Sequence, residues 1–141
     1  MYKHILLTVD LDDKDSWSKA LPLAISNAET HGATLSVMTV VPDFGMSLVG
    51  QYFPKDHIEK VMKEANKRLH ELVSERVPPG MQVQHIVRQG TVYEMVLLTA
   101  KEIEADLIII ASHRPALKDY LLGPNAARVV RHANCSVLVV R

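Results

Sequence analysis

The chain has 141 residues, of which 48% are hydrophobic and 23% charged, a balance typical of an ordinary globular protein. Its 16 basic and 16 acidic residues give a formal net charge of zero. This argues against a general nucleic-acid-binding protein, which needs excess positive charge to neutralise phosphates, and it gives no reason to expect attachment to a membrane surface. The length predicts one soluble domain, residues 1–141, with a single core.

Two further features bear on where the protein works. Cys135 is the only cysteine, so an intrachain disulfide is excluded and we expect a small buried side chain. No apolar run reaches the roughly 20 residues that a membrane helix needs. The N-terminal apolar run is of strand length and ends in a carboxylate, unlike a signal peptide. We therefore expect a cytoplasmic protein.

The first half of the chain alternates strand-length apolar runs with helical periodicity. Its nearly continuous apolar opening is typical of a strand buried on both faces of a parallel sheet. Pro22 is expected to kink the first helix or to delay its start. The predicted elements are a strand at His4–Asp10, a helix from a cap at Asp15 or Ser16 to Gly32, a strand at Thr34–Val41 and a helix from Pro54 or Lys55 to Arg76.

The second half continues the alternation. The predicted elements are a strand at Gln82–Arg88, a helix opened by a capping box at Thr91–Glu94, a strand at Leu107–Ala111, a helix opened by Gly123-Pro124 and a strand at Ser136–Val140. Gln82–Arg88 alternates in polarity, which places it near a sheet edge. Five strands alternating with four helices predict an α/β fold with parallel strands and right-handed crossovers.

Two of the predicted strands end in polar residues. The first ends at Asp10 and the fourth runs into Ser112. Open α/β sheets bind ligands beyond the carboxyl ends of the strands, where strand order reverses. Two interpretations of Asp10 stay open: a carboxylate that accepts hydrogen bonds from a ribose, or one that caps its own loop.

The segment before the fourth helix has the chemistry of an anion site. A helix start at Gly123 offers free N–H groups and the positive end of a dipole, which suit phosphate, although an ordinary capped helix is the alternative. Ser112, His113, Arg114 and Lys118 add donors and positive charge. A hydrolytic Ser112–His113 pair is disfavoured, because adjacent residues rarely act as nucleophile and base. The sequence contains no P-loop, no dinucleotide-binding glycine motif and no zinc-type histidine spacing.

The last third of the chain carries a family likeness. It contains Ala-Ser-His-Arg-Pro from Ala111, then Tyr-Leu-Leu-Gly-Pro-Asn-Ala-Ala, then Val-Val-Arg-His-Ala-Asn-Cys-Ser-Val-Leu-Val-Val-Arg to Arg141. With these segments, nearly the whole chain resembles the universal stress protein family, and in particular its small F and G subgroup. The resemblance implies a Rossmann-like three-layer sandwich with a five-stranded parallel sheet in the order 3-2-1-4-5. It also implies a homodimer formed through Ser136–Val140.

Nucleotide-binding members of that family bind ATP through a glycine pattern. The resemblance therefore implies ATP or ADP as ligand, with Mg²⁺ as a candidate companion ion. By position, Asp10 matches a carboxylate at the adenosine end, Val41 and Ile110 match the adenine pocket, and Gly123 matches the phosphate end. The implied site residues are Thr8, Val9, Asp10, Val41, Ile110, Ala111, Ser112, His113, Arg114, Gly123, Asn125 and Ala126.

The chain also departs from the family pattern. Ala111 and Arg114 stand where glycines are expected, and Thr8 stands where a proline is common. Pro124 replaces a Ser or Thr, which removes one N–H from the anion site. Arg114 could contribute a guanidinium to phosphate binding instead.

Three functional hypotheses follow. The first is a cytoplasmic, homodimeric adenine-nucleotide-binding regulator of the stress response, which acts through its bound state or a partner protein. The second is an interaction module with the same fold and dimer, whose phosphate end Pro124 disables. The third is a weak ATPase or autophosphorylating enzyme, for which His113 and Asp119 are the candidate bases. We assign no catalytic residue and no metal ligand, and expect neither nucleic acid nor a membrane as a partner.

Overall fold

The computed structural model describes residues 1–42, 55–112 and 123–141. Its strands are β1 (His4–Thr8), β2 (Thr34–Pro42), β3 (Val83–Gly90), β4 (Leu107–Ala111) and β5 (Ser136–Val140). Its helices are α1 (Ala20–His31), α2 (Lys55–Arg76), α3 (Val92–Glu102) and α4 (Pro124–His132), preceded by a short 3₁₀ helix at Lys14–Ser16. The strands form one parallel sheet in the order β3-β2-β1-β4-β5. The predicted α/β fold and strand order are therefore confirmed.

Two hydrophobic clusters cover the two faces of the sheet. Leu7 packs with Leu69 and the other buried residues of α1 and α2. Leu6 packs with Val96 and Val129, which lie on α3 and α4. Successive strand residues point to opposite faces, so a strand covered by helices on both sides is apolar at every position. This explains the continuous apolar run of β1.

The start of α1 differs from the prediction. Neither Asp15 nor Ser16 caps it. Instead, the Asp13 side chain accepts the Asp15 N–H and caps the 3₁₀ helix, and α1 begins only at Ala20. The local carboxylate therefore stabilises a separate short turn ahead of the helix.

Two special residues of α1 behave as predicted. Pro22 is the third residue of the helix, within the first turn, where backbone N–H groups have no intrahelical partner to lose. The predicted late start is therefore right. Gly32 ends the helix at a φ of 64°, a left-handed conformation that glycine adopts without steric strain.

The predicted capping box of α3 is wrong. Thr91 occupies the N-cap position, but its side chain makes no capping hydrogen bond. The carboxylate of Glu94 instead accepts the Tyr93 hydroxyl at 3.3 Å. The Glu94 carboxylate, which in a capping box would accept the backbone N–H of Thr91, thus binds the neighbouring Tyr93 side chain.

Cys135 is half-buried, not fully buried as expected, and lies against the α3 and α4 side of the core. Burial, with the negative charge of Asp106, raises the pKa of its thiol.

In the described residues, no helix is both long enough and apolar enough to cross a membrane.

Candidate functional site

A cavity of about 780 Å³ lies at the carboxyl ends of β1, β2 and β4, within the range of roughly 300–1,000 Å³ usual for small-molecule sites. β1 and β4 are neighbours, with Thr8 opposite Ile110. The chain leaves β1 towards the α1 face and leaves β4 towards the α4 face. The cavity therefore lies at the point where strand order reverses.

Nine of the twelve predicted site residues line this cavity. They are Thr8, Val9, Asp10, Val41, Ile110, Ala111, Gly123, Asn125 and Ala126. The predictions for His113 and Arg114, and for the candidate base Asp119, fall outside the described residues. The structure thus brings together residues from both ends of the chain, as the neighbouring positions of β1 and β4 require.

Ser112, the remaining predicted residue, is not among the lining residues. Its N–H donates to the carbonyl of Val140 at 2.8 Å, and its Oγ accepts the Gly123 N–H at 2.9 Å. Ser112 therefore joins the end of β4 to the end of β5 and to the start of α4.

Asp10 shows the loop-capping geometry. Its Oδ1 accepts the Asp12 N–H at 3.0 Å, and its own N–H donates to Ser16 Oγ at 2.8 Å. A carboxylate has about four lone-pair sites on two oxygens, so this bond leaves acceptor capacity. Loop capping and ligand binding are therefore compatible at Asp10.

The cavity wall contains an open strand edge at Val40. The Val9 N–H donates to the carbonyl of Met38 at 2.9 Å, one bond beyond the end of β1. In a parallel ladder, every second residue points both N–H and C=O at the same neighbour, so Val40 is the next residue of β2 directed towards β1. The residues that follow β1 turn away from β2 there, and within the described ranges no backbone hydrogen bond joins Val40 to them. Val41, the residue named from the sequence, also lines the cavity, but by the same alternation Val41 directs its backbone N–H and C=O towards β3.

The start of α4 forms the opposite end of the cavity. Gly123 is the N-cap, Pro124 is the first helical residue, and no side chain in the described part of the chain caps the helix. The Ala127 N–H makes a 2.9 Å bond to the carbonyl of Gly123. The N–H groups of Asn125 and Ala126 lie in the first turn, where helices leave amides unpaired and carry positive partial charge. Both residues line the cavity.

Thr8 contributes a buried hydroxyl to the cavity. Its side chain is only 7% exposed, it lines the cavity, and its Oγ1 has no hydrogen-bond partner among the residues that the structure describes. A buried hydroxyl without a partner costs about 1–3 kcal/mol. A polar ligand group would offset that cost.

The rim near β1 carries charges that sequence reasoning did not assign to the site. Asp12, Asp13, Glu64 and Arg68 all line the cavity. Arg68 Nη2 contacts Asp12 Oδ1 at 2.9 Å. The described residues contain no group of three or more His, Cys, Asp or Glu side chains that could hold a metal ion. The cavity thus has an acidic rim at one end and an electropositive helix start at the other.

Comparison with known proteins identifies the family. The family model described as universal stress protein family matches residues 1–141. Universal stress protein G of Shigella flexneri is 35% identical over 144 residues that cover 100% of each chain. Universal stress protein A homolog 1 of Coxiella burnetii is 30% identical, covering 99% of this chain and 96% of its own. The chain belongs to the universal stress protein family.

Solved structures share the fold. A universal stress protein family member from Burkholderia pseudomallei matches with a TM-score of 0.72 and 25% identity, covering 99% of this chain and 96% of its own. A universal stress protein crystallised in complex with cAMP matches with a TM-score of 0.62 and 24% identity, covering 99% and 97%. The sheet described above is thus the fold of the family.

Proposed function

We propose that this universal stress protein is a cytoplasmic, homodimeric regulator that binds an adenine nucleotide, ATP or ADP. The observation that carries the proposal is a cavity with three separate recognition elements. Within the described residues, an open strand edge lies at Val40, a carboxylate at Asp10, and a helix start without a side-chain cap at Gly123. Their order matches the base, ribose and phosphate of one nucleotide.

The base is proposed to lie against the edge of β2. The Val40 N–H and C=O form a donor and acceptor pair, and adenine offers the complementary N1 acceptor and N6 donor. Val9, Val41 and Ile110 supply apolar walls, each at most 8% exposed. Guanine presents donor and acceptor in the reverse order along the same edge, so a base whose ribose is fixed at Asp10 would mismatch both groups.

The phosphates are proposed to lie at the start of α4. The Asn125 and Ala126 N–H groups and the helix dipole favour an anion there, and the Thr8 hydroxyl gains a partner. Ser112 holds the helix start in place through Gly123. His113 and Arg114 stay predicted phosphate contacts. Mg²⁺ would neutralise part of a triphosphate's charge, with its protein ligands unassigned.

The proposed homodimer uses β5, which is the edge strand beside β4. The Val140 carbonyl accepts the Ser112 N–H, so Val140 points its backbone groups at β4. By alternation, Val137 and Val139 point theirs outwards. An apolar edge with open backbone groups pairs readily with a second strand, and a second copy of β5 fits it.

A structural neighbour supports the choice of ligand class. The matching universal stress protein in complex with cAMP holds an adenine nucleotide. The experiment that tests the proposal is calorimetric titration of the purified protein with ATP and with GTP, each with Mg²⁺. We expect ATP to bind, and GTP to bind roughly tenfold or more weakly, because its base leaves two polar groups mispaired. Absence of heat with millimolar ATP would reject the proposal.

One observation favours a second candidate, an interaction module that binds no nucleotide. Pro124 lacks an N–H, and Ser112 Oγ already takes the N–H of Gly123. Two of the first four amides at the helix start are therefore unavailable to an anion. This candidate retains the fold and the proposed dimer, and predicts no heat with any nucleotide.

A further inference from the structure

Arg68 and Asp10 hold opposite ends of one peptide group. Arg68 Nη2 donates to the carbonyl of Leu11 at 3.0 Å. The next N–H, that of Asp12, donates to Asp10 Oδ1 at 3.0 Å. The Leu11 carbonyl and the Asp12 N–H belong to the same planar unit, and in a trans peptide they point in opposite directions. No cis peptide bond is found in the described residues. A guanidinium on α2 is thus linked through one rigid plane to the Asp10 carboxylate.

A second contact fixes the same peptide. Arg68 Nη2 also meets Asp12 Oδ1 at 2.9 Å, so a single nitrogen holds both the carbonyl and the side chain that flank the Asp12 N–H. The direction of this N–H decides where it meets Asp10 Oδ1. Arg68 itself lines the cavity, as do Leu11 and Asp12.

The exposure of the ion pair argues against a mainly structural role. The Arg68 and Asp12 side chains are 40% and 82% exposed, and an ion pair this exposed adds little to stability. Ser16 independently holds the loop, because its Oγ accepts the Asp10 N–H and its single O–H is shared between the carbonyls of Asp10 and Asp13. The loop therefore has a backbone anchor without Arg68, whereas the direction of the Asp10 carboxylate depends on the peptide that Arg68 holds.

We propose that Arg68 is a positioning residue for ribose recognition: it fixes the Leu11–Asp12 peptide, and this peptide aims the Asp10 carboxylate at the ribose hydroxyls. The inference rests on the proposed nucleotide function. Arg68 thereby controls selectivity for the sugar, and not for the base or the phosphates, from its position on α2.

The test compares ATP with 2′,3′-dideoxyATP, which lacks both ribose hydroxyls. In the unmodified protein we expect dideoxyATP to bind about tenfold or more weakly, as befits a lost hydrogen bond to a charged group. Arg68→Met keeps the aliphatic stem and removes the guanidinium. In this variant we expect the dissociation constants of ATP and dideoxyATP to lie within about threefold of each other, mainly because ATP binds more weakly. Arg68→Lys, whose single nitrogen can make both contacts, should restore most of the ratio.

Arg88→Met is the matched control. Arg88 forms a similar ion pair with Glu102 at 2.7 Å, with side chains 36% and 44% exposed, and it is not a lining residue of the cavity. It should leave the ratio unchanged. Asp12→Asn changes a highly exposed side chain and weakens its contact with Arg68 Nη2, so it should lower the ratio of the dideoxyATP and ATP dissociation constants. This variant tests the role of Arg68 even if Arg68→Met does not fold.

The outcomes separate the two proposals. If the unmodified protein binds neither ligand, the proposed function fails. Alternatively, the unmodified protein binds ATP while the Arg68→Met and Asp12→Asn proteins show the same ratio of dideoxyATP to ATP dissociation constants as the unmodified protein. That result rejects the positioning role of Arg68 and leaves the proposed function standing. Equal weakening of ATP and dideoxyATP by Arg68→Met rejects it too, since that result places Arg68 outside sugar recognition. An unmodified protein that binds both ligands equally overturns the contact between Asp10 and the ribose on which the inference depends.

Discussion

Ser112 Oγ accepts the N–H of Gly123 at 2.9 Å, across eleven positions of the chain. The Ser112 N–H also donates to the Val140 carbonyl at 2.8 Å. One residue thus ties the ends of β4 and β5 to the start of α4. The bond holds the helix start at the cavity and also occupies an amide that would otherwise be open to an anion.

The first prediction concerns this bond. Ser112→Ala leaves the partly buried Gly123 N–H without its acceptor, and we expect the free energy of unfolding to fall by about 1 kcal/mol. Urea unfolding followed by circular dichroism measures it. Ser74→Ala, at an exposed position of α2, should leave stability unchanged or slightly raised, because alanine favours helix. Equal stability of the two variants would mean that the bond to Gly123 contributes nothing.

The second prediction concerns Pro124, the first residue of α4. Pro124→Ala restores one backbone N–H, and Pro124→Ser restores the N–H and adds a hydroxyl. If phosphate binds at this helix start, affinity for ATP should rise in the order Pro, Ala, Ser, by about three- to tenfold per added donor. Calorimetric titration of the three proteins gives the order. Identical affinities would place the phosphates away from α4.

The third prediction tests the edge of β5. Val139→Pro removes an N–H that points away from β4, so the sheet within the chain keeps its hydrogen bonds. Sedimentation velocity should show a dimer for the unmodified protein and for Val139→Ala, and a monomer for Val139→Pro. A monomeric unmodified protein, or a Val139→Pro protein that stays dimeric, would contradict the proposed interface.

The fourth prediction concerns pH. The rings of His70 on α2 and His85 on β3 stack with centroids 3.7 Å apart. Burial, and then the charge of His70, lower the pKa of His85 below its ordinary value of 6.5. The unfolded chain therefore binds this proton more readily than the folded one. The free energy of unfolding that depends on neutral His85 is therefore fully present above about pH 6.5, and it is lost as the pH falls through the pKa of His85 in the folded protein.

His85→Phe keeps a ring against His70 and cannot be protonated. Urea unfolding at a series of pH values should show a smaller loss of stability below about pH 6.5 for this variant than for the unmodified protein. His70→Gln, which removes the neighbouring charge, should reduce the loss in part. Parallel pH profiles for all three proteins would show that the stacked pair does not couple folding to protonation.

The individual strands and helix ends were predictable because the signals for them are local in the sequence. The apolar run of β1, the proline at the start of α4 and the glycine after α1 each act through their own backbone. The strand order came from the family resemblance, since pairing between distant segments leaves no periodicity in the sequence. Asp10, Ser112 and Gly123 were candidates from strand ends and helix-start chemistry alone, and the resemblance added Val41 and Ile110.

The parts that sequence reasoning missed depend on distant contacts. Val40 faces the cavity because of the pairing register between β1 and β2, and a shift of one residue would exchange its role with that of Val41. Arg68 reads as part of the solvated face of an amphipathic helix. Its contact with Leu11, 57 positions away, exists only once α2 has packed beside the loop after β1.

The most direct test of nucleotide binding is a calorimetric titration of ATP with Mg²⁺ into the unmodified protein and into Asp10→Asn. Asparagine keeps an acceptor for the Asp12 N–H and removes the charge, so the loop is retained. We predict saturable binding to the unmodified protein and about tenfold or more weaker binding to Asp10→Asn, the loss expected for a charged hydrogen bond. Asp56→Asn, at an exposed residue in the first turn of α2, should bind like the unmodified protein. No binding to the unmodified protein at millimolar ATP, or equal affinity of the Asp10→Asn protein, would contradict the account.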